Sequence, residues 1–555
     1  MSNKKDLTFY NLKERKWLTR LDRGSIVGHT TSCDTKLWFR FKSKGKYLLV
    51  LSKTSLKDDV SKKPKEIESL YTRFSKKLND NLPLHCAVEV TVDGTSDFTC
   101  VLNTFENDSI SKLDEDSIYY YGAYNLDEEN WEIGVENSHS FRTMPKNEIA
   151  KSWDISFGLY SCHMPFDPKN ESKSDASMWD LMEKELKFSN AKFVIGGGDQ
   201  VYCDGVDYLN IWNWLKKVKK DKPTIDDMYS WYRDIYRGYW GFPGVKAVHR
   251  QFPNYMTWDD HEIMDGWGSY TKDELSNELD TIFEWENKKT NLKLASNMFK
   301  AATHVYKEYQ HSHNPKRENV KDCFDYDFNT CGSDFFVLDM RGKRNFDENY
   351  TILGKNQMKR FLDWSKELEN SNNKGPIFVV STVPMVHLKD FVSNILDWVA
   401  IFGARDDVRD HWAHEKHGKE FIKILNTIFK ASHNTKRPLV VLSGDVHIGG
   451  IFKLFSDKKK HKNAKVFQLT SSAITYAAVG PLKMGLLAKA TAQAGTIGKN
   501  SSFRFERETI FPQHNFSLIN YKTDENKTTQ INIELIGKSE DSRVKESVRI
   551  SLLDI

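Results

Sequence analysis

Cysteine is sparse and unpaired in this chain: the seven residues at positions 33, 86, 100, 162, 203, 323 and 331 form no CxxC pair along 555 residues. That spacing excludes a dense disulfide framework and finger-type zinc chemistry, and it makes a reducing compartment the simpler expectation. Charge of one sign is lacking too, since 81 Lys and Arg stand against 77 Asp and Glu, a formal net charge of +4. So small a field predicts no specific nucleic-acid reader. The densest basic run, Lys458-Lys459-Lys460-His461-Lys462, reads as a solvated turn between two apolar strands rather than a ligand or membrane patch. Met1 to Arg20 has no apolar run of the kind a secretory signal requires. The most apolar internal stretch, Phe391 to Phe402, carries Asp397 and is too short to span a bilayer. Cytoplasmic residence with no transmembrane segment is therefore expected. Neither a GxSxG nucleophile elbow nor a GxxxxGK[ST] phosphate loop is present, which removes two common hydrolase and NTPase schemes.

What is present is ample apolar and aromatic material, with 15 Trp, 22 Tyr and 33 Phe, so the chain is expected to be globular. Single cores stop growing near about 250 to 300 residues, so a large catalytic domain with a smaller companion is expected. Residues 1–150 read as β-rich, with strand-like runs in Gly24 to Phe41, Tyr47 to Ser52 and Leu84 to Phe105, and a surface helix over Glu66 to Leu78. Residues 151–555 change grammar. A helical rhythm over Asp175 to Ser189 precedes the apolar run Phe193 to Ile195, and the runs Phe335 to Leu338, Ile377 to Val380 and Leu439 to Leu442 each follow a candidate helix. Strands separated by helices imply an α/β sheet whose ligand groups gather beyond the strand ends. Leu275 to Gln310 reads as helix, Gly480 to Gly498 as a close-packed helix or a flap, and strands return from about residue 503.

Three segments bring acidic, phenolic or imidazole groups to such strand ends. In Val194-Ile195-Gly196-Gly197-Gly198-Asp199, glycines let the backbone approach a ligand and Asp199 offers oxygen to a hard cation. Tyr202 returns to the same point if the loop takes a helical turn, and Asp204 follows. In Trp258-Asp259-Asp260-His261-Glu262, adjacent carboxylates repel unless a cation or a basic group shares their field, and His261 supplies a ligand or a proton. A helix N-terminus capped by Asp259 or Asp260 explains part of that segment as well. In Leu439 to Gly450 an apolar strand delivers Asp445 and His447, which project to one side if the segment is extended. Asp199, Tyr202, Asp260, Asp445 and His447 suffice for two cations. Such a pair lowers the pKa of a water and polarises a phosphoryl group, with His261 placed to protonate the leaving oxygen.

The blocks GDQVYCDG, TWDDHE and LSGDVH resemble those of the alkaline phosphatase D (PhoD-like) group within the calcineurin-like metallophosphoesterases, in the same order and spacing over roughly residues 150 to 475. Val27-Gly28-His29-Thr30-Thr31 followed by Leu37-Trp38-Phe39-Arg40 is similar to that group's N-terminal β domain. The resemblance implies an α/β fold with a β-sandwich core flanked by helices, preceded by an N-terminal β-sandwich domain. It implies Fe3+ and Ca2+ as the cations, with another divalent pair as the alternative. Asp199 then bridges them, Tyr202 is a phenolate on iron, Cys162 in Ser161-Cys162-His163 a thiolate on iron, and His447 joins the iron side. Asp260 and Asp445 belong to the second, calcium site. Two positions depart from the group's pattern: His163 follows the cysteine, and Gly266 stands where asparagine is expected.

Further matching blocks contribute Arg237 and Arg341 as candidate phosphate forks, Arg233 beside them, and an aromatic set of Trp231, Tyr232, Tyr236, Tyr239 and Trp240 that reads as a ligand wall or as core. The expected activity is hydrolysis of a phosphomonoester or phosphodiester, on a small molecule or a polymer, by a metal-bound hydroxide. The alternative is a binding protein whose loops a metal orders without turnover.

Overall fold

The computed structural model describes residues 20–56, 84–134, 139–147, 152–218, 223–283, 287–317, 323–386, 411–412, 414–476, 493–498, 502–523, 529–538 and 545–552. The helix expected over Glu66 to Leu78, the apolar stretch Phe391 to Phe402 and most of Gly480 to Gly498 lie outside these residues.

Two mixed sheets form the centre of the larger part. One has six strands, ordered Asn254–Thr257, Val194–Gly197, Trp153–Tyr160, Asn515–Thr523, Thr529–Lys538 and Lys545–Leu552, the first three parallel. The other has eight, with Ser333–Val337, Ile377–Val380, Leu439–Ser443 and Val466–Thr470 parallel in its middle. Period-2 alternation explains how these strands are buried on both faces. Phe335, Phe378, Val440 and Leu442 point to Phe157, Leu159, Phe193 and Ile195 of the facing sheet in one shared core. Phe336, Val379, Leu439 and Val441 point the opposite way, under helices Gly354–Glu367 and Gly418–Thr435. The seam is aromatic, Phe157 standing edge-on to Phe335 and Phe378 with centroids 5.8 and 5.2 Å apart. Helices Ser177–Phe188, Ile225–Tyr239 and Lys288–Tyr309 cover the outer face of the six-stranded sheet.

Several elements differ from the sequence reading. Leu275 to Gln310 is two helices, Lys272–Phe283 and Lys288–Tyr309, because Asn287 caps the second through its side chain on the N–H of Thr290. Strand Ser333–Val337 follows a hairpin, not a helix: Cys331 and Gly332 both have positive φ, 49° and 76°, which suits a two-residue turn. The last four strands divide, Phe503–Phe511 pairing with Gly449–Ser456 and the other three completing the six-stranded sheet. The basic run at 458–462 is a short turn, Lys459–His461, as its composition predicts.

Residues 24–142 pair among themselves as sheets of three and five strands over a common core that includes Val27, Phe39, Tyr47, Leu49 and Tyr121. This β unit docks through buried polar contacts. Lys36 Nζ donates to Asn314 O at 2.7 Å, Trp38 Nε1 to Glu308 O at 2.7 Å and Tyr121 OH to Arg250 O at 2.9 Å. No helix among the described residues is long and apolar enough to cross a membrane.

Candidate metal centre

Four strands, three parallel neighbours of the six-stranded sheet and one of the eight-stranded sheet, end at one place. Trp153–Tyr160 runs into Ser161-Cys162-His163, Val194–Gly197 into Gly198-Asp199, Asn254–Thr257 into Trp258-Asp259-Asp260, and Leu439–Ser443 into Gly444-Asp445-Val446-His447. The chain turns sharply there: Cys162, Asp199, Asp445 and His447 all have positive φ, between 54° and 68°. Such conformations cost non-glycine residues on the order of 1 kcal/mol or more each, and they persist where surrounding bonds over-determine them. Cys162 N–H donates to Gly198 O, His163 N–H to Asp199 O at 2.8 Å, and His447 N–H to Ser472 Oγ at 3.0 Å. Gly444 is required by packing, since a Cβ on it would lie 2.5 Å from the Ser161 side chain.

Donor atoms gather around Asp199. Asp199, Asp260 and His261 have donors all within 4.8 Å of one another, and so do Asp199, Asp259 and Asp445. Asp199 Oδ2 accepts from Tyr202 OH at 3.2 Å and from Cys162 Sγ at 3.3 Å, and Tyr202 OH also lies 3.2 Å from His447 Nε2. Asp199 Oδ1 is buried with no hydrogen-bond partner. Burial pushes the Asp199 carboxyl well above the ordinary carboxylate range, and the carboxylates of Asp259, Asp260 and Glu262 add to that push against His261. Burial likewise raises Cys162 and Tyr202 and lowers His447 to about 3. An orphaned carboxylate oxygen among buried acids is the environment a cation would stabilise.

The paired carboxylates do have a basic neighbour. Arg341, fully buried, pairs through Nε with Asp259 and at 3.2 Å with Asp260, and it donates to Trp267 O at 3.2 Å. Asp260 Oδ2 accepts the N–H of Gly266 at 2.7 Å. Gly266 has φ +64°, a conformation that glycine and asparagine both adopt readily, so the departure from asparagine preserves the backbone. The other departure, His163, faces away from the cluster. Its Nδ1 accepts from Trp179 Nε1 at 3.0 Å and its Nε2 donates to Tyr239 O at 2.9 Å, which makes it a neutral core histidine.

His261 Nδ1 donates to Asp204 Oδ1 at 2.7 Å. Against burial, which lowers it, the carboxylates of Asp204 and Asp260 hold the imidazole pKa well above its ordinary value. At 20% exposure the His261 side chain is the least buried of the first cluster, on the solvent side of Asp199 and Asp260.

A model of the PhoD-like phosphatase family matches residues 157–522, a span that contains all four of these loops. The chain belongs to that family. A solved structure described as "Structure of PhoD" aligns with it at TM-score 0.62 over 97% of this chain and 91% of that one, at 14% identity, which shows a shared PhoD fold. A curated relative from Saccharomyces cerevisiae (strain ATCC 204508 / S288c), "Uncharacterized protein YGR266W", is 21% identical over 396 residues. The match takes in 56% of this chain, which spans about half (53%) of that relative's length.

Within this PhoD-like frame the sequence-predicted residues separate into two groups. Cys162, Asp199, Tyr202, Asp260, His261, Asp445 and His447 come together. Asp445 and His447 do so from a left-handed turn rather than the extended segment expected, which sends Asp445 to Asp199 and Asp259 and His447 to Tyr202. Tyr202 reaches Asp199 from a bent loop, not a helical turn. Arg237 does not join them: it donates to Asp97 Oδ1 at 2.8 Å and pairs with Asp234, in the contact with the N-terminal strands. Arg233 is engaged by Glu308 and Thr95 O. Trp231, Tyr232, Tyr236, Tyr239 and Trp240 are buried core residues. Sequence reasoning missed the role of Glu262, whose carboxylate accepts the N–H of Gln200 at 2.8 Å, of Asp259 at 2.9 Å and of Asp199 at 3.2 Å. Ser472, whose Ser471-Ser472 block resembles the family's and reads as a substrate-facing candidate, instead donates to Cys162 Sγ at 3.0 Å, and Tyr476, which sequence reasoning missed, stacks on His447 at 3.7 Å. Glu262 carried a signal, the Asp-x-x-Glu capping pattern; Tyr476 carried none.

Proposed function

We propose that the chain hydrolyses phosphate esters, mono- or diesters, at a centre where Asp199 and the donors around it would hold two cations, in the manner of the calcineurin-like metallophosphoesterases. The observation that carries this reading is the membership of Asp199 in both donor clusters, one of its oxygens lacking any hydrogen-bond partner.

The donor chemistry divides in a way that supports Fe3+ beside Ca2+. Cys162, Tyr202 and His447 offer sulfur, phenolic oxygen and imidazole near Asp199, a soft and mixed set suited to a transition metal. Their separations of 3.2 to 3.3 Å from Asp199 or from each other match what ligands bound about 2.0 to 2.3 Å from one cation require. Asp260 and Asp445, each with a donor within 4.8 Å of one on Asp199, offer oxygen suited to a hard cation. When bound, the pair would polarise the phosphoryl group and acidify a water.

The chain's own residues account for the rest. Asp204 fixes His261 with its proton on Nδ1 and keeps the ring protonated, so Nε2 can deliver a proton to the departing oxygen. Arg341 pairs with Asp259 and Asp260 and offsets their charge. It thus acts on phosphate through the carboxylates it orients. Elemental analysis paired with a panel of mono- and diesters tests the reading: hydrolysis tracking metal content supports it, and a metal-loaded protein inert on every ester contradicts it.

A further inference from the structure

A cleft of about 1550 Å³ lies apart from the donor clusters, lined by helix Gly354–Glu367 along its length as far as Lys366, by the first turns of helix Gly418–Thr435 and by the loop that leads into the first helix. Topology puts it on the edge of the sheet that carries the metal centre. The first helix leaves the C-terminal end of strand Ser333–Val337, which is parallel to Leu439–Ser443. The second helix leads back into the N-terminal end of Leu439–Ser443, so its own N-terminus lies at the edge from which Asp445 and His447 project. Asp339, in the cleft wall, is two residues from Arg341.

Eight basic and four acidic side chains line the cleft. Two of the four acids pair with cations of the cleft wall, and the other two are held by neutral donors. Asp363 pairs with Lys359 at 2.6 Å and Lys366 at 3.2 Å, and Asp325 with Arg360. Asp339 accepts the N–H groups of Arg341 and Gly342 and the indole of Trp258, and Glu420 accepts the N–H groups of Ile352 and Leu353 and the Thr351 hydroxyl. Lys343, Lys355, Lys416, Lys419 and Lys423 are left with no carboxylate partner among the described residues; Lys416 rests over the rings of Phe346 and Tyr350. All five are exposed. Scattered surface lysines are solvated and need no partner. Eight basic against four acidic groups give this concavity a formal charge of +4, and five of its lysines have no carboxylate partner among the described residues, a potential that favours an anion of several charges.

We propose that this cleft binds a compact, multiply phosphorylated anion of the polyphosphate class, distinct from the phosphoryl group at the metal centre. The anion is either the far end of a substrate or a separate effector, and the same lysines serve both.

The probe is inorganic tripolyphosphate, titrated calorimetrically into the full chain, into Lys355→Gln/Lys419→Gln/Lys423→Gln and into Asp445→Asn. Exposed Lys-to-Gln changes leave the fold intact. Binding at least about 10-fold weaker in the triple variant, retained in Asp445→Asn and falling with salt, is expected. No binding to the wild type, equal affinity in the triple variant, or loss only in Asp445→Asn would overturn the proposal, and none of these readouts depends on turnover. Two kinetic arms separate the sources. A KM raised in the triple variant only for an ester bearing a triphosphate tail assigns the cleft to substrate. A rate on a small monoester that tripolyphosphate changes in the wild type and not in the triple variant assigns it to an effector.

Discussion

The Glu262 carboxylate accepts the backbone N–H of Asp199 at 3.2 Å, and with Asp259 and Gln200 on the same two oxygens it ties together two of the loops that supply metal donors. Gln310 Nε2 adds a fourth bond at 3.0 Å. A buried acceptor shared this widely cannot be replaced by an amide without leaving an N–H unpaired. Glu262→Gln is expected to lower stability by roughly 1–3 kcal/mol and to reduce metal retention, measured by urea unfolding and elemental analysis on the same samples. Unchanged midpoints and metal content would remove Glu262 from this role.

His261 is oriented by Asp204 and is the least buried member of its cluster. His261→Ala should lower turnover more for esters with poorly acidic leaving groups than for activated aryl esters, because protonation matters most when the departing oxygen is basic. Asp204→Asn should steepen the same dependence in part. An equal loss across a graded ester series would assign His261 to metal binding or phosphate orientation instead.

The three strand-end blocks were legible in the sequence because each couples an apolar run to glycine and to donor residues within a few positions. Asp199, Asp260 and Asp445 therefore needed no structure to be singled out. Arg237 and Arg341 show the limit: both read alike as candidate forks, yet one is held by Asp97 from a β unit over a hundred residues away and the other by Asp259 and Asp260. Such pairings depend on tertiary contact and leave no local pattern. The split of the last four strands between two sheets is hidden for the same reason, since alternation identifies a strand and not its partner.

His29, in the Gly28-His29-Thr30 segment of the β unit, is half-buried, stacks on Phe105 and lies 3.2 Å from Tyr255 OH. Burial, with Lys36 assisting, lowers its pKa to about 3. The unfolded chain therefore takes up a proton near pH 6.5 that the native state refuses, so this contribution to stability is complete above pH 6.5 and is lost as pH falls toward 3. His29→Phe should flatten the dependence of the urea midpoint on pH between 6.5 and 4. A slope identical to wild type would show that His29 is not the group responsible.

Phenolate or thiolate on ferric iron gives a visible charge-transfer band, whereas oxygen and imidazole on calcium, magnesium or zinc leave a protein nearly colourless. Protein purified without chelator is expected to be coloured, and Tyr202→Phe and Cys162→Ser should each shift or abolish the band, as their convergence on Asp199 suggests. A colourless, active protein containing no iron would assign a different cation pair to the same donors.

The most direct test of the two-cation account follows metal content and phosphate-ester turnover together through a graded chelator titration, in the wild type, Asp260→Asn and Asp445→Asn. The account predicts about two cations per chain in the active wild type, turnover lost in step with their removal, and at least about 100-fold lower turnover in each variant with the fold retained. Undiminished ester hydrolysis by metal-free protein, or by both variants, would contradict it.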